Sequence, residues 1–119
     1  MWLRIGGLLM ALGVVLGAFG SHALRAKLDD YSMEVFRTAV FYHLIHALGI
    51  FVVAYLGSLY SDTKIQWAGI LLVAGIILFS GSLYLLAITG QKWLGAVTPL
   101  GGLAFIAAWL LIALVGIDP

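Results

Sequence analysis

Three histidines, a tyrosine and a Thr-Pro-Leu-Gly-Gly motif are the residues of this chain whose types and spacing could carry chemistry. His22 closes the first apolar stretch, and His43 and His46 lie inside the second. Residues three apart sit ~60° apart around a helix, so His43 and His46 share a face with Ala39, Tyr42, Gly49, Ile50 and Val53. Imidazole titrates near neutral pH and ligates transition metals, so a cluster of three could relay a proton or hold a metal. Haem would need imidazoles from two facing helices, and only His22 with His43 or His46 offers that. Two features point to a plainer use, hydrogen bonding between helices. His22 lies ~180° around its helix from a glycine stripe unless the helix breaks at Gly20-Ser21, and no apolar stretch supplies a carboxylate to orient the rings.

The second locus is Thr98-Pro99-Leu100-Gly101-Gly102, where two glycines directly follow a proline inside an apolar run. Such a start either packs closely on a neighbour or opens a slightly broken helix toward a cavity. The candidate ligand site is therefore His22, Tyr42, His46, Thr98, Gly101 and Gly102. A catalytic set is not expected: Ser58, Ser80 and Ser82 have no neighbouring acid and no nucleophile-elbow signature. The chain has no cysteine, which excludes disulfides, thiolate metal sites and thiol nucleophiles. Neither a resident metal nor a cofactor is expected.

The elements that must position these residues are unusually apolar. The chain is 64% hydrophobic and 9% charged, with a mean hydropathy of +1.16. A soluble domain carries about 25% charged residues, so this composition cannot build a water-facing surface. Four apolar stretches take up most of the 119 residues, at about 3–24, 36–56, 65–88 and 99–115. Each approaches the ~20 residues that cross ~30 Å of hydrocarbon at ~1.5 Å per residue. Backbone groups in lipid must satisfy one another, so the expected fold is an all-α, integral membrane four-helix bundle forming a single domain. The connections are too short to hold a catalytic or nucleic-acid-binding domain, and a net charge of +1 argues against a polyanionic partner. The partners expected are the lipid bilayer and, within it, a membrane protein or further copies of the chain. The first stretch has the order of a signal peptide, with Arg4, an apolar run and small residues at Ala18–Ser21, but the run exceeds a usual signal core and reads as a true span.

Four spans put both termini on one face. Arg25, Lys27, Arg37 and Lys92 gather at the opposite face, against Arg4 and Lys64 at the terminal one. Basic residues favour the cytoplasmic side, which places both termini outside. Trp2, Tyr31, Tyr60, Trp67 and Trp93 fall near span ends, where amphipathic rings meet the head groups. Asp30 or Ser32 is expected to cap the second helix, with Glu34 in its first turn and a Glu34–Arg37 pair across one turn. Gly90 is expected to end the third helix in a left-handed conformation, and Thr98 to cap the fourth ahead of Pro99.

Small residues mark the expected contacts: Gly6, Gly13, Gly17 and Gly20 on the first helix, Gly69, Ala74, Gly75, Gly81 and Ser82 on the third, and Gly101, Ala104 and Ala108 on the fourth. Sequence leaves open whether the partner of each stripe is in the same chain or a second copy. A faint repeat joins the first and third helices. Gly7-LLMAL-Gly13 reads against Gly69-ILLVA-Gly75, and Gly20-Ser21 matches Gly81-Ser82 after one residue of slippage. This would be a parallel duplication of a helical hairpin.

Several strings resemble the YgdD/YwdK-like family of small four-span inner-membrane proteins of unknown function. They are Gly17-Ala-Phe-Gly-Ser-His-Ala-Leu24, Thr38-Ala-Val-Phe-Tyr-His-Leu-Ile-His-Ala-Leu48, Leu78-Phe-Ser-Gly-Ser-Leu-Tyr-Leu-Leu86 and Thr98-Pro-Leu-Gly-Gly102. The similarity covers nearly the whole chain. It implies four spans and a bacterial inner-membrane location, and it implies no activity. At position 43 the family more often resembles glutamine, which leaves His22 and His46 as the better pair for any ligand. The functional expectation is a non-enzymatic accessory or assembly protein; the alternative is a binder or transporter of a small molecule, lipid or ion through a histidine-lined site.

Overall fold

The structure, a computed structural model, describes residues 1–117. Four helices are each long and apolar enough to cross a membrane: α1 Trp2–Leu24, α2 Asp30–Leu59, α3 Thr63–Thr89, and a fourth segment, Lys92–Ala113. That last segment opens with a tight 3₁₀ stretch, Lys92–Ala96, and continues as α4, Thr98–Ala113. The protein is an all-helical integral membrane bundle, as its composition requires. α1 packs along α2 and α4 along α3, and α2 and α3 join the two hairpins. The molecule is long and flat, about 52 × 26 × 16 Å. α2 is the most enclosed helix and α1 the least.

Local signals explain most helix ends, with two corrections. The residue that caps α2 is Asp29, one before those expected, and its carboxylate accepts from the Ser32 backbone N–H at 2.7 Å. Asp62 caps α3 in the same way, accepting from Lys64 N at 2.9 Å. Gly90 ends α3 as expected, with φ +72° and its N–H on Leu86 O at 2.8 Å. Thr98 does not cap α4, because the preceding 3₁₀ turn already delivers carbonyls to the first amides: Leu100 N bonds Val97 O at 3.0 Å. Its hydroxyl is thereby free for another helix. The expected Glu34–Arg37 pair does not form; the ion pair present among the described residues is Lys64–Asp62, at 3.3 Å.

Both odd-numbered helices widen into a π-helical stretch, at Val15–Gly20 in α1 and Ile76–Ser80 in α3. These fall at matching places in the sequence repeat. The stretch holds 6 residues in α1 and 5 in α3, and that difference is the one residue by which the repeat slips between Gly13/Gly75 and Gly20/Gly81. The wide turn absorbs the offset without ending either helix.

The glycine stripe of α1 finds its partner in the same chain. A methyl group added at Gly6 would stand 3.3 Å from Ile50, at Gly17 2.9 Å from Val40, and at Gly20 3.1 Å from Phe36, all on α2. Lipid tails are as apolar as leucine, so helices associate by close packing and shared hydrogen bonds, and absent side chains permit both. The second hairpin uses the same device. Gly75 lies beneath the ring of Phe105, and Gly101 abuts the backbone of Phe79 inside the wide turn of α3. The main core gathers where the three more enclosed helices meet, around Ile50, Leu72, Ile76 and Phe105.

Two outcomes follow. Gly101→Ala drives a methyl into the Phe79 backbone, which cannot yield as a side chain can; overpacking of this kind costs about 1–3 kcal/mol, and denaturation in detergent is expected to register it. Gly102→Ala meets only the Phe79 ring edge at 3.9 Å and is expected to unfold like the unaltered protein. At the start of α2, the Ser32 backbone amide, and then its hydroxyl, hold the Asp29 carboxyl below the usual carboxylate range. A lowered folded pKa contributes stability above the unfolded value of about 3.9 and loses it as pH falls through the folded one. NMR shifts of residues 30–33 are therefore expected to lose helical character below about pH 4, and Asp29→Asn to remove that dependence.

Candidate functional site

Two polar clusters lie at membrane depth, on adjacent faces of α2. On the α1 side, His43 is 1% exposed and bridges three helices. Its Nε2 is 2.7 Å from the Leu9 carbonyl of α1, and its Nδ1 is 2.8 Å from the Tyr84 hydroxyl of α3. A carbonyl only accepts, so Nε2–H donates to Leu9 O and the Tyr84 O–H donates to Nδ1. The ring reaches that carbonyl because Gly13 faces it without a side chain; a methyl there would stand 3.2 Å from the His43 ring and still nearer Leu44. Glycine stripe and histidine thus form one device.

Two further bonds tie α3 to its neighbours. Ser80 Oγ donates to Ala39 O on α2 at 2.8 Å, from the end of the wide turn. Ser82 and Thr98 share a hydrogen bond of 2.6 Å between α3 and α4, which is where the Thr98 hydroxyl goes. Every fully enclosed side-chain nitrogen or oxygen among the described residues has a hydrogen-bond partner.

The other cluster lies on the seam between α2 and α4. His46 is 5% exposed and about halfway along α2. Its Nδ1–H donates to Tyr42 O at 2.7 Å, one turn back on its own helix, which leaves Nε2 as an acceptor lone pair. The ring stacks on Phe105 with centroids 3.5 Å apart and planes 10° apart. Tyr42 and Trp109 flank it, each at 5.9 Å, and Tyr42 lies 4.4 Å from Phe79. Among the described residues, nothing bonds His46 Nε2, the Tyr42 hydroxyl or the Trp109 indole N–H. Since no enclosed polar atom is unpaired, Nε2 must keep some contact with the surroundings. An unpaired acceptor in hydrocarbon costs roughly 2–7 kcal/mol, and this edge is where the described residues leave one.

The structure therefore divides the residues expected from sequence. Tyr42, His46 and Gly101 converge on Phe79 and Phe105, Gly102 lies 3.9 Å from the Phe79 ring, and Thr98 is one turn away, held by Ser82. His22 does not join them. α1 passes through Gly20-Ser21 without a break, so His22 stays on the exposed side, remote from the stripe that faces α2. The three-histidine cluster is not assembled, and no group of acids or histidines among the described residues could hold a metal ion. His43 and His46, neighbours around one helix, serve different neighbours. Sequence reasoning missed Tyr84, Phe105 and Trp109; a tyrosine and a tryptophan a full turn inside the ends of apolar runs, each with a polar atom needing a partner, were the available signal.

Comparison with known proteins gives a consistent picture. The family model described as "Protein of unknown function (DUF423)" matches residues 16–102, which include Tyr42, His43, His46 and Tyr84 but not Leu9, Phe105 or Trp109. The UPF0382 membrane protein YwdK of Bacillus subtilis is 48% identical over 114 residues, covering 95% of this chain and 93% of the relative. A UPF0382 membrane protein of Staphylococcus haemolyticus is 43% identical, with coverage of 94% and 91%. One from Staphylococcus epidermidis is 42% identical, with coverage of 92% and 89%. No solved structure matches the chain.

The His43 bridge is testable by its chemistry. A glutamine amide supplies the same donor and acceptor pair, so His43→Gln is expected to unfold close to the unaltered protein. His43→Leu removes the second bond to the Leu9 carbonyl and leaves the Tyr84 hydroxyl without its acceptor, and it is expected to lose about 1–2 kcal/mol, read by equilibrium unfolding in detergent.

Proposed function

The chain belongs to the DUF423 family of proteins of unknown function, and from that premise we propose that it is a non-enzymatic accessory or assembly protein of the bacterial inner (cell) membrane. The observation that carries this reading is the division of polar groups within the bilayer. Those of His43, Tyr84, Ser80, Ser82 and Thr98 are consumed in tying helices together. Those on the α2–α4 seam keep hydrogen-bonding capacity, with Tyr42 and Trp109 exposed and His46 enclosed between them. A partner transmembrane helix, from another protein or a second copy, would pair a hydroxyl or amide with His46 Nε2 and cover Tyr42 and Trp109. Interhelical bonds of this kind contribute about 0.6–2 kcal/mol each and give a docking helix its register.

Orientation follows from charge. Arg25, Lys27, Arg37 and Lys92 lie toward the face opposite the termini, with Arg4 and Lys64 on the terminal one. By the preference of basic residues for the cytoplasm, both termini face outward. The alternative, a binder of a lipid-soluble small molecule, draws on the same lone pair and its aromatic surroundings. A hydroxyl-bearing ligand reaching the seam from the bilayer would satisfy Nε2 as a partner helix would.

A photo-crosslinking residue placed at Ile45, exposed beside His46, separates these readings in native membranes. A protein adduct that disappears with His46→Phe, while one formed from Val14 on α1 does not change, is the expected result. An adduct of small-molecule mass selects the ligand reading. Labelling of bulk lipid alone, indifferent to His46, removes both.

A further inference from the structure

Where α1 leaves the bilayer and α2 enters it, an open cavity of about 460 Å³ is lined by Arg25, Leu28, Asp30, Met33, Glu34 and Arg37. It contains two guanidinium and two carboxylate groups, all exposed, and no ion pair closes between them, although Glu34 and Arg37 are one turn apart. The lining therefore carries both signs in equal number with each still available.

Their order along α2 matters. Asp30, Glu34 and Arg37 follow one another at i, i+4 and i+7, one stripe of the helix. The helix runs from the connection into the bilayer, so Asp30 is outermost and Arg37 lies ~10 Å deeper along the axis. Arg25 faces the same space from just beyond the end of α1. Along α2, negative charge thus stands toward water and positive charge toward the hydrocarbon, while Arg25, beyond the end of α1, stands level with the outer acid. Beneath them Met33, 5% exposed, and half-buried Leu28 form an apolar floor.

We propose that this cavity holds the head group of a zwitterionic aminophospholipid, with Arg37 on the phosphate, Glu34 and Asp30 on the primary ammonium, and Arg25 closing the outer side of the phosphate. In such a lipid the phosphate sits next to the glycerol, nearer the hydrocarbon, and the ammonium extends toward water, the same polarity as the stripe. Guanidinium groups bind phosphate oxygens through paired, charge-assisted hydrogen bonds, and an ammonium brings three donors to the carboxylates. A purely anionic head group would satisfy the arginines but leave both acids facing negative charge. A trimethylated one would keep the charge but lose the N–H donors. The apolar floor and the depth of Arg37 fix the source as a bilayer lipid rather than a soluble phosphate ester. This inference stands on different residues from the α2–α4 seam and does not depend on it.

The test uses the full-length protein purified in detergent and exposed to equal amounts of dioleoyl phosphatidylethanolamine, phosphatidylcholine and phosphatidylglycerol, with retained lipid counted by native mass spectrometry. Phosphatidylethanolamine is expected to be retained about tenfold over either of the others, the worth of one charge-assisted hydrogen bond. Arg37→Gln is expected to remove that preference, and Glu34→Gln to shift it toward phosphatidylglycerol. Lys27→Gln, outside the cavity, is expected to change nothing, and thermal unfolding checks that each variant is folded. Equal retention of the three lipids, or a preference unmoved by both cavity variants, overturns the proposal. Displacement of the lipid by equimolar soluble O-phosphoethanolamine overturns its assignment to the bilayer.

Discussion

In hydrocarbon there is no water to take up a spare hydrogen bond, and that one constraint governs this molecule. It forces the backbone into helices, and it then decides what each polar side chain within the bilayer must do. With lipid as apolar as leucine, burying oily surface gives little reason for helices to meet. What remains is close approach and shared hydrogen bonds, and the two are supplied together. Gly13 opens the gap through which His43 reaches the Leu9 carbonyl, and Gly101 lets α4 lie on the backbone of α3 one turn from the Ser82–Thr98 bond.

α2 is the helix on which this depends. It presents His43 to α1 and α3, Ala39 to the Ser80 hydroxyl, and His46 to α4, so that consecutive turns serve different neighbours. The π-helical stretches of α1 and α3 lie on either side of it. Their matched positions, and the single residue by which their lengths differ, give the sequence repeat a structural counterpart. Wide turns of this kind often mark functional sites. Here the α3 turn ends at Ser80, whose hydroxyl reaches α2, and it presents at Phe79 the backbone on which Gly101 rests.

The middle and the start of α2 differ in their relation to the surroundings. Halfway along, an aromatic stack leaves one imidazole lone pair without a donor. At its start, a stripe of opposite charges lies open at head-group level. Both are places where the chain is incomplete by itself, one toward the interior of the bilayer and one toward its surface.

Length and hydropathy determined the four helices, because crossing ~30 Å of lipid admits only helices or closed barrels, and unbroken apolar runs of this length select the helix. Gly90 and the glycine stripes were equally legible, since a positive φ and a close approach each demand an absent side chain. The cap of α2 was misread by one residue: aspartates stand side by side at 29 and 30, and only the backbone path decides which carboxylate meets Ser32 N. Beyond that, sequence ran out where rotation about a helix axis matters. His43 and His46 are only ~60° apart on α2, yet one faces α1 and α3 and the other α4, and the line between them is drawn by how the neighbours pack. His22 was excluded from the site by the uninterrupted course of α1, and Thr98 was diverted from capping to Ser82 by a 3₁₀ turn. Composition determined that these side chains would lie in lipid and need partners; the tertiary arrangement decided which of them found one, because a hydrogen bond reaches only about 3 Å and no periodicity in one helix specifies where another helix will stand.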